Sequence, residues 1–207
     1  MQRQSPSIFN DIVGPIMVGP SSSHTCAPSR IGYLCRQLVK GKLTKACIEF
    51  AKEGAYTEMY KGQRSDMGFI NGLLGYRPED PQIRRAFELA EEAGLSVTFE
   101  ISDFVPTKPN LSRITLYSDQ DETVQVYTDS TGGGTVKLLK IDGYDIAITG
   151  DSFELLMKSD AKGAQAEALM MACLNLFPEN EGYMLSQDER GSLINIKSRM
   201  EFDEEMV

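Results

Sequence analysis

Three serines, a threonine and the only histidine of the 207-residue chain lie together at positions 21–25, inside the stretch GPIMVGPSSSHT. Hydroxyl groups donate and accept hydrogen bonds, and an imidazole exchanges a proton near neutral pH. This combination suits acid–base chemistry on a small polar ligand. A serine-rich turn with capping hydroxyls and a structural histidine has the same composition, so the residue types alone leave both interpretations open.

Pro28 predicts that a helix begins directly after this stretch, because proline lacks the N–H that would go unpaired in a first helical turn. Apolar residues then recur at helical spacing at positions 31, 34, 35, 38 and 39. The start of a helix attracts carboxylates through free amides and the positive end of its dipole. We therefore predict a site for a small anion such as an amino acid or hydroxy acid. His24 would supply a titratable group, and the hydroxyls would come from Ser21, Ser22, Ser23 and Thr25.

A second candidate for chemistry is Asp66, which follows the segment KGQRS. With Ser65 it is placed to cap a helix that ends near Gly75. In a site, the same carboxylate would bind a ligand or move a proton, so both roles stay open. The three glycines at 132–134 predict a bulge or a tight strand connection, since no helix follows to complete a phosphate-binding loop.

Hydrophobic periodicity predicts an α+β (mixed α/β) chain, with helices first and a largely antiparallel meander after them. A helix is expected from Pro81 to Gly94, with an apolar stripe formed by Ile83, Ala86, Phe87 and Ala90. Runs with a period of two predict strands at 46–51, 96–101, 113–118, 123–128 and 136–141. The pair Asp142-Gly143 predicts a hairpin turn.

The last part of the chain has the pattern strand, helix, strand, strand, at 153–158, 164–176, 183–187 and 192–200. This pattern differs from the meander before it. We therefore divide the chain into residues 1–143 and residues 144–207.

The composition excludes some partners and compartments. Apolar residues make up 41% and charged residues 25%, as in ordinary soluble domains. The net charge of −9 argues against nucleic acid and anionic membrane surfaces, which require clustered Lys and Arg. No apolar run is long enough to span a bilayer, and the first residues lack the apolar core of a signal peptide. We expect a cytoplasmic protein.

The four cysteines are Cys26, Cys35, Cys47 and Cys173. They form no CxxC pair, their spacing matches no ferredoxin pattern, and no second histidine is present to complete a zinc site. We expect reduced, mostly buried thiols and no metal held by this chain alone.

Several short motifs in residues 8–150 resemble the β chains of the iron–sulfur-dependent L-serine dehydratases. The SSSHT motif at 21–25 is specific, and FNDIVGP precedes it at 9–15. The others follow in family order: YKG at 60–62, SD at 65–66, GLLGY at 72–76, AFELA at 86–90, PN at 109–110, GGG at 132–134 and IDGY at 141–144. The resemblance implies a serine dehydratase β-type, substrate-binding domain at 1–143 and a partial ACT-like βαββ segment at 144–207.

The same resemblance implies a lyase subunit that takes part in converting L-serine to pyruvate and ammonia. It implies a partner α chain holding a 4Fe-4S cluster, whose iron would act as a Lewis acid on the substrate hydroxyl. L-serine or a similar small amino acid would be the ligand. His24 and Asp66 would then be catalytic, and the substrate carboxylate would be bound by Ser21, Ser22, Ser23 and Thr25.

Two departures from the family pattern leave alternatives open. Where the family usually has Gly-His-Gly-Thr-Asp or a two-histidine version, this chain has GQRSD at 62–66, so His24 is the only imidazole. The last helix and strand of an ACT module are also missing, which predicts a sheet edge that pairs with another chain, a second copy included. The alternatives are a non-catalytic regulatory or small-carboxylate-binding relative, and a dehydratase for another hydroxy amino acid such as threonine.

Overall fold

The computed structural model describes residues 15–202 and confirms the α+β class. The helical segments are a π-helical turn (Ser22–Cys26) that continues into α1 (Ala27–Arg36), then α2 (Tyr56–Met59), α3 (Ser65–Leu73), a 3₁₀ turn (Pro81–Arg85) that runs into α4 (Ala86–Ala93), and α5 (Ala164–Leu176). The strands are β1 (Leu43–Ala51), β2 (Ser96–Ser102), β3 (Leu111–Ser118), β4 (Thr123–Gly132), β5 (Thr135–Ile141), β6 (Tyr144–Ile148), β7 (Phe153–Ser159), β8 (Gly182–Asp188) and β9 (Gly191–Ser198).

A six-stranded sheet in the order β2-β1-β3-β4-β5-β6 forms the larger part of the fold. Only β1 and β2 pair in parallel, and the remaining pairs are antiparallel, as the meander pattern predicts. The predicted hairpin turn is present, with Asp142 and Gly143 both at positive φ between β5 and β6. The apolar face of this sheet packs on the helices through Ile31, Ile48, Phe50, Phe69, Ile114 and Leu138.

Two facing glycines bring α1 and α3 into unusually close contact. A Cβ on Gly72 would lie 2.0 Å from the Ser29 carbonyl oxygen, and one on Gly32 would lie 2.5 Å from the Phe69 carbonyl oxygen. The two backbones therefore approach to a distance that only glycine permits. A buried bond from Asn71 Nδ2 to Ser29 Oγ, 2.8 Å long, joins the same two helices. This packing fixes α1, and with it the histidine-bearing turn at its start.

The C-terminal region forms a separate three-stranded antiparallel sheet in the order β7-β9-β8, with α5 packed on it. The predicted division after residue 143 assigns β6 to this region, whereas the hydrogen bonds of β6 place it in the six-stranded sheet. The two sheets are linked by Lys197 Nζ, which donates to the Ala147 carbonyl at 2.7 Å. The ACT-like nature of the segment stays a prediction.

The predicted helix start is confirmed: α1 begins at Ala27 with Pro28 in its first turn, and an unpredicted π-helical turn (Ser22–Cys26) precedes it. Two local predictions were wrong. Ser65 does not cap α3; it lies inside the helix, and Arg64 is the N-cap residue without a side-chain cap bond. Phe87 is not part of the buried stripe of α4, since 52% of it is exposed. No helix within residues 15–202 has the length and apolar character needed to cross a membrane.

Candidate active site

The SSSHT motif forms the π-helical turn that opens the first helix. Ser21 is its extended N-cap residue, and its Oγ accepts a hydrogen bond from the His24 amide at 3.1 Å. The amides of Cys26 and Ala27 bond to carbonyls five residues earlier, those of Ser21 and Ser22. The amides of His24, Thr25 and Cys26 are therefore used within the turn, so an incoming anion would meet only the earlier amides.

Pro28 explains why the carbonyl of Ser23 is available to side chains from elsewhere. In the five-residue pattern of this turn, residue 28 would donate to Ser23, but proline has no N–H. The Ser23 carbonyl instead accepts from Ser130 Oγ at 3.1 Å and from Tyr56 Oη at 3.5 Å. A side chain on β4 and one on α2 therefore hold the centre of the motif.

His24 is held on one side and unpartnered on the other. Its Nδ1 lies 3.4 Å from Ser21 Oγ and 3.3 Å from Ser23 Oγ, and its ring meets Tyr56 edge-on at 5.6 Å. Its Nε2 is buried and has no hydrogen-bond partner among the described residues. Burial lowers the pKa of His24 from its ordinary value of 6.5, which keeps the imidazole neutral at pH 7. In the tautomer in which Nδ1 carries the proton and donates to a serine hydroxyl, Nε2 is the unprotonated nitrogen that can accept a proton.

Thr25 joins the motif to the segment before α3. Its buried hydroxyl donates to the Gln63 carbonyl at 2.9 Å. Two glycines make room for it, since a Cβ on Gly19 would lie 2.6 Å from Thr25 Cγ2 and one on Gly68 would lie 2.4 Å from the Thr25 carbonyl oxygen. This hydroxyl is committed to a main-chain contact, and substrate binding by Thr25 stays a prediction.

Replacing Thr25 with valine should destabilise the fold by about 1–2 kcal/mol, because the isosteric side chain leaves the Gln63 carbonyl without its donor. Urea denaturation of the full chain measures this change. Thr123→Val is the matched control, because Thr123 is exposed on β4 and makes no such bond. Equal stability of the two variants would contradict a structural role for the Thr25 hydroxyl.

Asp66 lies in the first turn of α3, where its Oδ1 accepts from the Met67 amide at 2.8 Å. Burial raises the pKa of this half-buried carboxyl, and the charges of Lys61 and Arg64 oppose that shift. A carboxylate in this position also interacts favourably with the helix dipole. The catalytic role assigned to Asp66 stays a prediction.

Arg64 adopts a left-handed backbone, with φ 61° and ψ 34°, directly before α3. In the GQRSD segment at 62–66, Arg64 stands where the family pattern Gly-His-Gly-Thr-Asp has its second glycine. A side chain in this conformation costs about 1–2 kcal/mol. The Gln63 side chain contacts Met59 Sδ, so position 63 brings only its carbonyl to the SSSHT turn.

Three residues around the SSSHT turn were not predicted to belong to the site: Tyr56 against His24, Ser130 on the Ser23 carbonyl, and Asp129 beside Tyr56. Burial raises the pKa of Tyr56, so its hydroxyl stays protonated. Asp129, next to Ser130 on β4, is 5% exposed, and its Oδ1 has no partner among the described residues. Burial raises its pKa, while Lys108 and Lys137 act against the shift. The only sequence signal nearby is the glycine run at 132–134, which forms the predicted tight connection from β4 to β5.

The cysteines do not form a metal site in the described part of the chain, where no group of three His, Cys, Asp or Glu residues could hold an ion. Cys26, Cys35 and Cys173 are buried, and Cys47 is half-buried. Burial raises the pKa of Cys26 to about 11, so its thiol stays protonated and is a poor ligand. The residues present therefore do not fit an iron–sulfur cluster.

The geometry defines an α+β domain that presents one neutral histidine from a helical turn held against a sheet. Residues 8–97 match the family described as serine dehydratase beta chain. The chain is 35% identical over 156 residues to a probable L-serine dehydratase, beta chain, of Bacillus subtilis (strain 168). This match covers 75% of this chain and 69% of that protein. It is 33% identical to the L-serine dehydratase, beta chain, of Peptoniphilus asaccharolyticus, over 72% of this chain and 66% of that one.

A third relative, L-serine dehydratase TdcG of Escherichia coli (strain K12), is 29% identical over 187 residues. That match covers 75% of this chain and 40% of TdcG. The chain belongs to the serine dehydratase β-chain family.

Proposed function

We propose that this chain is the β subunit of an L-serine dehydratase and that, with an α chain, it forms the site that converts L-serine to pyruvate and ammonia. The names of its relatives support the reaction and the subunit type. The observation that carries the proposal is His24, whose Nδ1 is held by serine hydroxyls while its buried Nε2 has no partner. The four unpaired thiols are consistent with the expected cytoplasm, where cysteines stay reduced.

His24 acts in this proposal as the base that takes the α-proton of serine onto Nε2. The hydroxyls of Ser21 and Ser23 fix the ring, and Tyr56 sets its tilt through the edge contact. The α-proton taken up by His24 leaves with the β-hydroxyl as one molecule of water, which gives an aminoacrylate. The aminoacrylate tautomerises to an imine, and the imine takes up one water to give pyruvate and ammonia. The substrate carboxylate is placed at the open start of the π-helical turn, by the Ser22 and Ser23 amides and the Ser22 hydroxyl.

The 4Fe-4S cluster is proposed to belong to the α chain, because the cysteines of this chain do not fit one. No step of the chemistry assigned to this chain depends on it.

The test is to purify this chain with its genomically adjacent α chain under anaerobic conditions and to measure pyruvate release from L-serine. Turnover by the complex, and none by either chain alone, is expected. A cluster-loaded complex that binds serine tightly without turnover would contradict the lyase function and favour a carboxylate-binding relative. Faster release of 2-oxobutanoate from L-threonine would assign the other substrate.

The pH dependence of the complex follows from the lowered pKa of His24. The neutral imidazole is the active form, so kcat/KM should stay level as the pH falls to the ordinary value of 6.5 and decline only below it. The free energy of unfolding follows the same direction. As the pH falls, His24 becomes protonated in the unfolded chain before it does in the folded chain, so stability is lost as the pH falls below 6.5 toward the folded pKa. A fall in kcat/KM that already begins above pH 6.5 would contradict the assignment of His24 as the base. In His24→Gln, the loss of stability between pH 7 and the folded value should become smaller by the contribution of His24.

A further inference from the structure

A cavity lies beside the SSSHT turn; Thr25 of that turn lines it, and His24 does not. It has a volume of about 490 Å³ and lies between residues 18–20, the start of α3 and the 3₁₀ turn. Sites for small molecules usually occupy about 300–1,000 Å³. Its apolar wall is formed by Val18, Pro20, Met67 and Ile83, and Arg64 and Arg84 also line it.

The two arginines bring positive charge to this cavity. Arg64 and Arg84 are exposed, and neither forms an ion pair or a hydrogen bond through its guanidinium with another described residue. The adjacent Arg85, in contrast, pairs with Glu88 at 2.8 Å. The charge of Arg64 acts on the nearby carboxylate of Asp66, which already accepts a hydrogen bond from the Met67 amide.

The backbone holds the walls of this cavity in place. The Arg64 amide donates to the Lys61 carbonyl at 3.1 Å, and the Arg64 carbonyl accepts from the Gly68 amide at 3.1 Å. These bonds maintain its left-handed conformation, a kind of strain that persists where the surroundings impose it and that clusters at ligand sites. On the other wall, the Val18 amide donates to the Pro78 carbonyl at 2.9 Å.

We propose that this cavity binds a small organic carboxylate with a short apolar body, and that Arg64 and Arg84 contact its carboxylate. A guanidinium matches the planar shape of a carboxylate and forms strong charge-assisted bonds to it. The apolar wall accommodates the body of the ligand. L-serine carries only a hydroxymethyl group there, so this ligand differs from the proposed substrate, and the site goes beyond the proposed reaction.

The test uses isobutyrate and its neutral isostere isobutyramide, titrated into the full chain by calorimetry, with inorganic phosphate as a third probe. Isobutyrate should bind in preference to both. Arg64→Asn keeps a residue that tolerates the left-handed backbone and removes the charge. Arg64→Asn and Arg84→Gln should each lower the affinity for isobutyrate about tenfold.

Arg77→Gln is the matched control, since Arg77 is also exposed but does not line the cavity, and its affinity should be unchanged. His24→Ala should keep isobutyrate binding, so this site and the dehydratase function fail independently. Equal binding of acid and amide, phosphate binding as strong as isobutyrate, an equal effect of Arg77→Gln, or no saturable binding would each overturn the proposal.

Discussion

Replacing His24 with alanine is expected to lower pyruvate release by the assembled α/β complex by about 10²–10⁴-fold, the usual contribution of a positioned general base. The loss should fall on kcat, because the carboxylate of serine is proposed to bind main-chain amides that the substitution keeps. His24 is the only histidine of the chain, and its Nε2 has no partner in the described structure. Steady-state kinetics with L-serine measure the effect.

Two controls separate chemistry from assembly in that experiment. Thr123→Val changes an exposed strand residue far along the chain and should keep full activity. The His24→Ala complex should elute at the same size and have the same cluster absorbance as the wild type. Activity within a factor of about three of wild type would place the base on the α chain instead.

Replacing Gly72 with alanine is expected to destabilise the chain by about 3 kcal/mol or more, at the upper end of overpacking effects. The new Cβ would lie 2.0 Å from the Ser29 carbonyl oxygen and 2.4 Å from the Tyr33 nitrogen. Both atoms belong to the backbone of α1, so no side chain can rotate away. Either α1 moves or α3 does. Guanidinium denaturation of the isolated full chain measures the loss.

Gly62→Ala is the matched control for that substitution. A Cβ at Gly62 would meet its nearest neighbour, the Met59 carbonyl oxygen, at 3.9 Å, which is an ordinary contact. The free energy of unfolding of Gly62→Ala should be within about 0.5 kcal/mol of that of the wild type, as for most surface substitutions. An equally small effect of Gly72→Ala would show that the two helices can separate freely, and that their contact does not position the SSSHT turn.

The start of the first helix shows what local sequence rules capture and what they miss. Pro28 lies in the first turn of α1, as predicted, but the π-helical turn before α1 was not predicted. The missing N–H of Pro28 falls where the chain changes from five-residue to four-residue bonding, so it interrupts nothing there. It leaves the Ser23 carbonyl for Tyr56 and Ser130. No local pattern contains that arrangement.

The remaining predictions succeeded where a feature depends on residues close in sequence and failed where it depends on residues far apart in sequence. Strands with a period of two and the Asp142-Gly143 turn depend on neighbouring residues, and the structure confirms them. The partners of the SSSHT turn are distant in sequence: Thr25 bonds to a carbonyl 38 residues away and Ser130 reaches back over 107 residues. α2, which carries Tyr56, has four residues, too few for a periodic signal.

The altered GQRSD segment is also clearer in the structure than in the sequence. Position 63 holds the SSSHT turn through its carbonyl, which any residue provides, so glutamine in place of histidine keeps that contact. Position 64 is different, since its left-handed backbone favours the glycine of the family motif and here carries a charged side chain. The substitution at 63 therefore removes an imidazole, and the one at 64 adds a cation to a cavity.

The most direct test of the central claim is the nitrogen-15 NMR spectrum of His24, which is the only histidine signal of an untagged labelled chain. The labelled chain would be assembled with unlabelled α chain and titrated with 2-methylserine, which has no α-hydrogen and cannot be turned over. We predict a neutral imidazole at pH 7 whose Nε2 resonance shifts as the ligand saturates the complex. An Nε2 resonance that stays unchanged at saturation would contradict a role for His24 at the substrate.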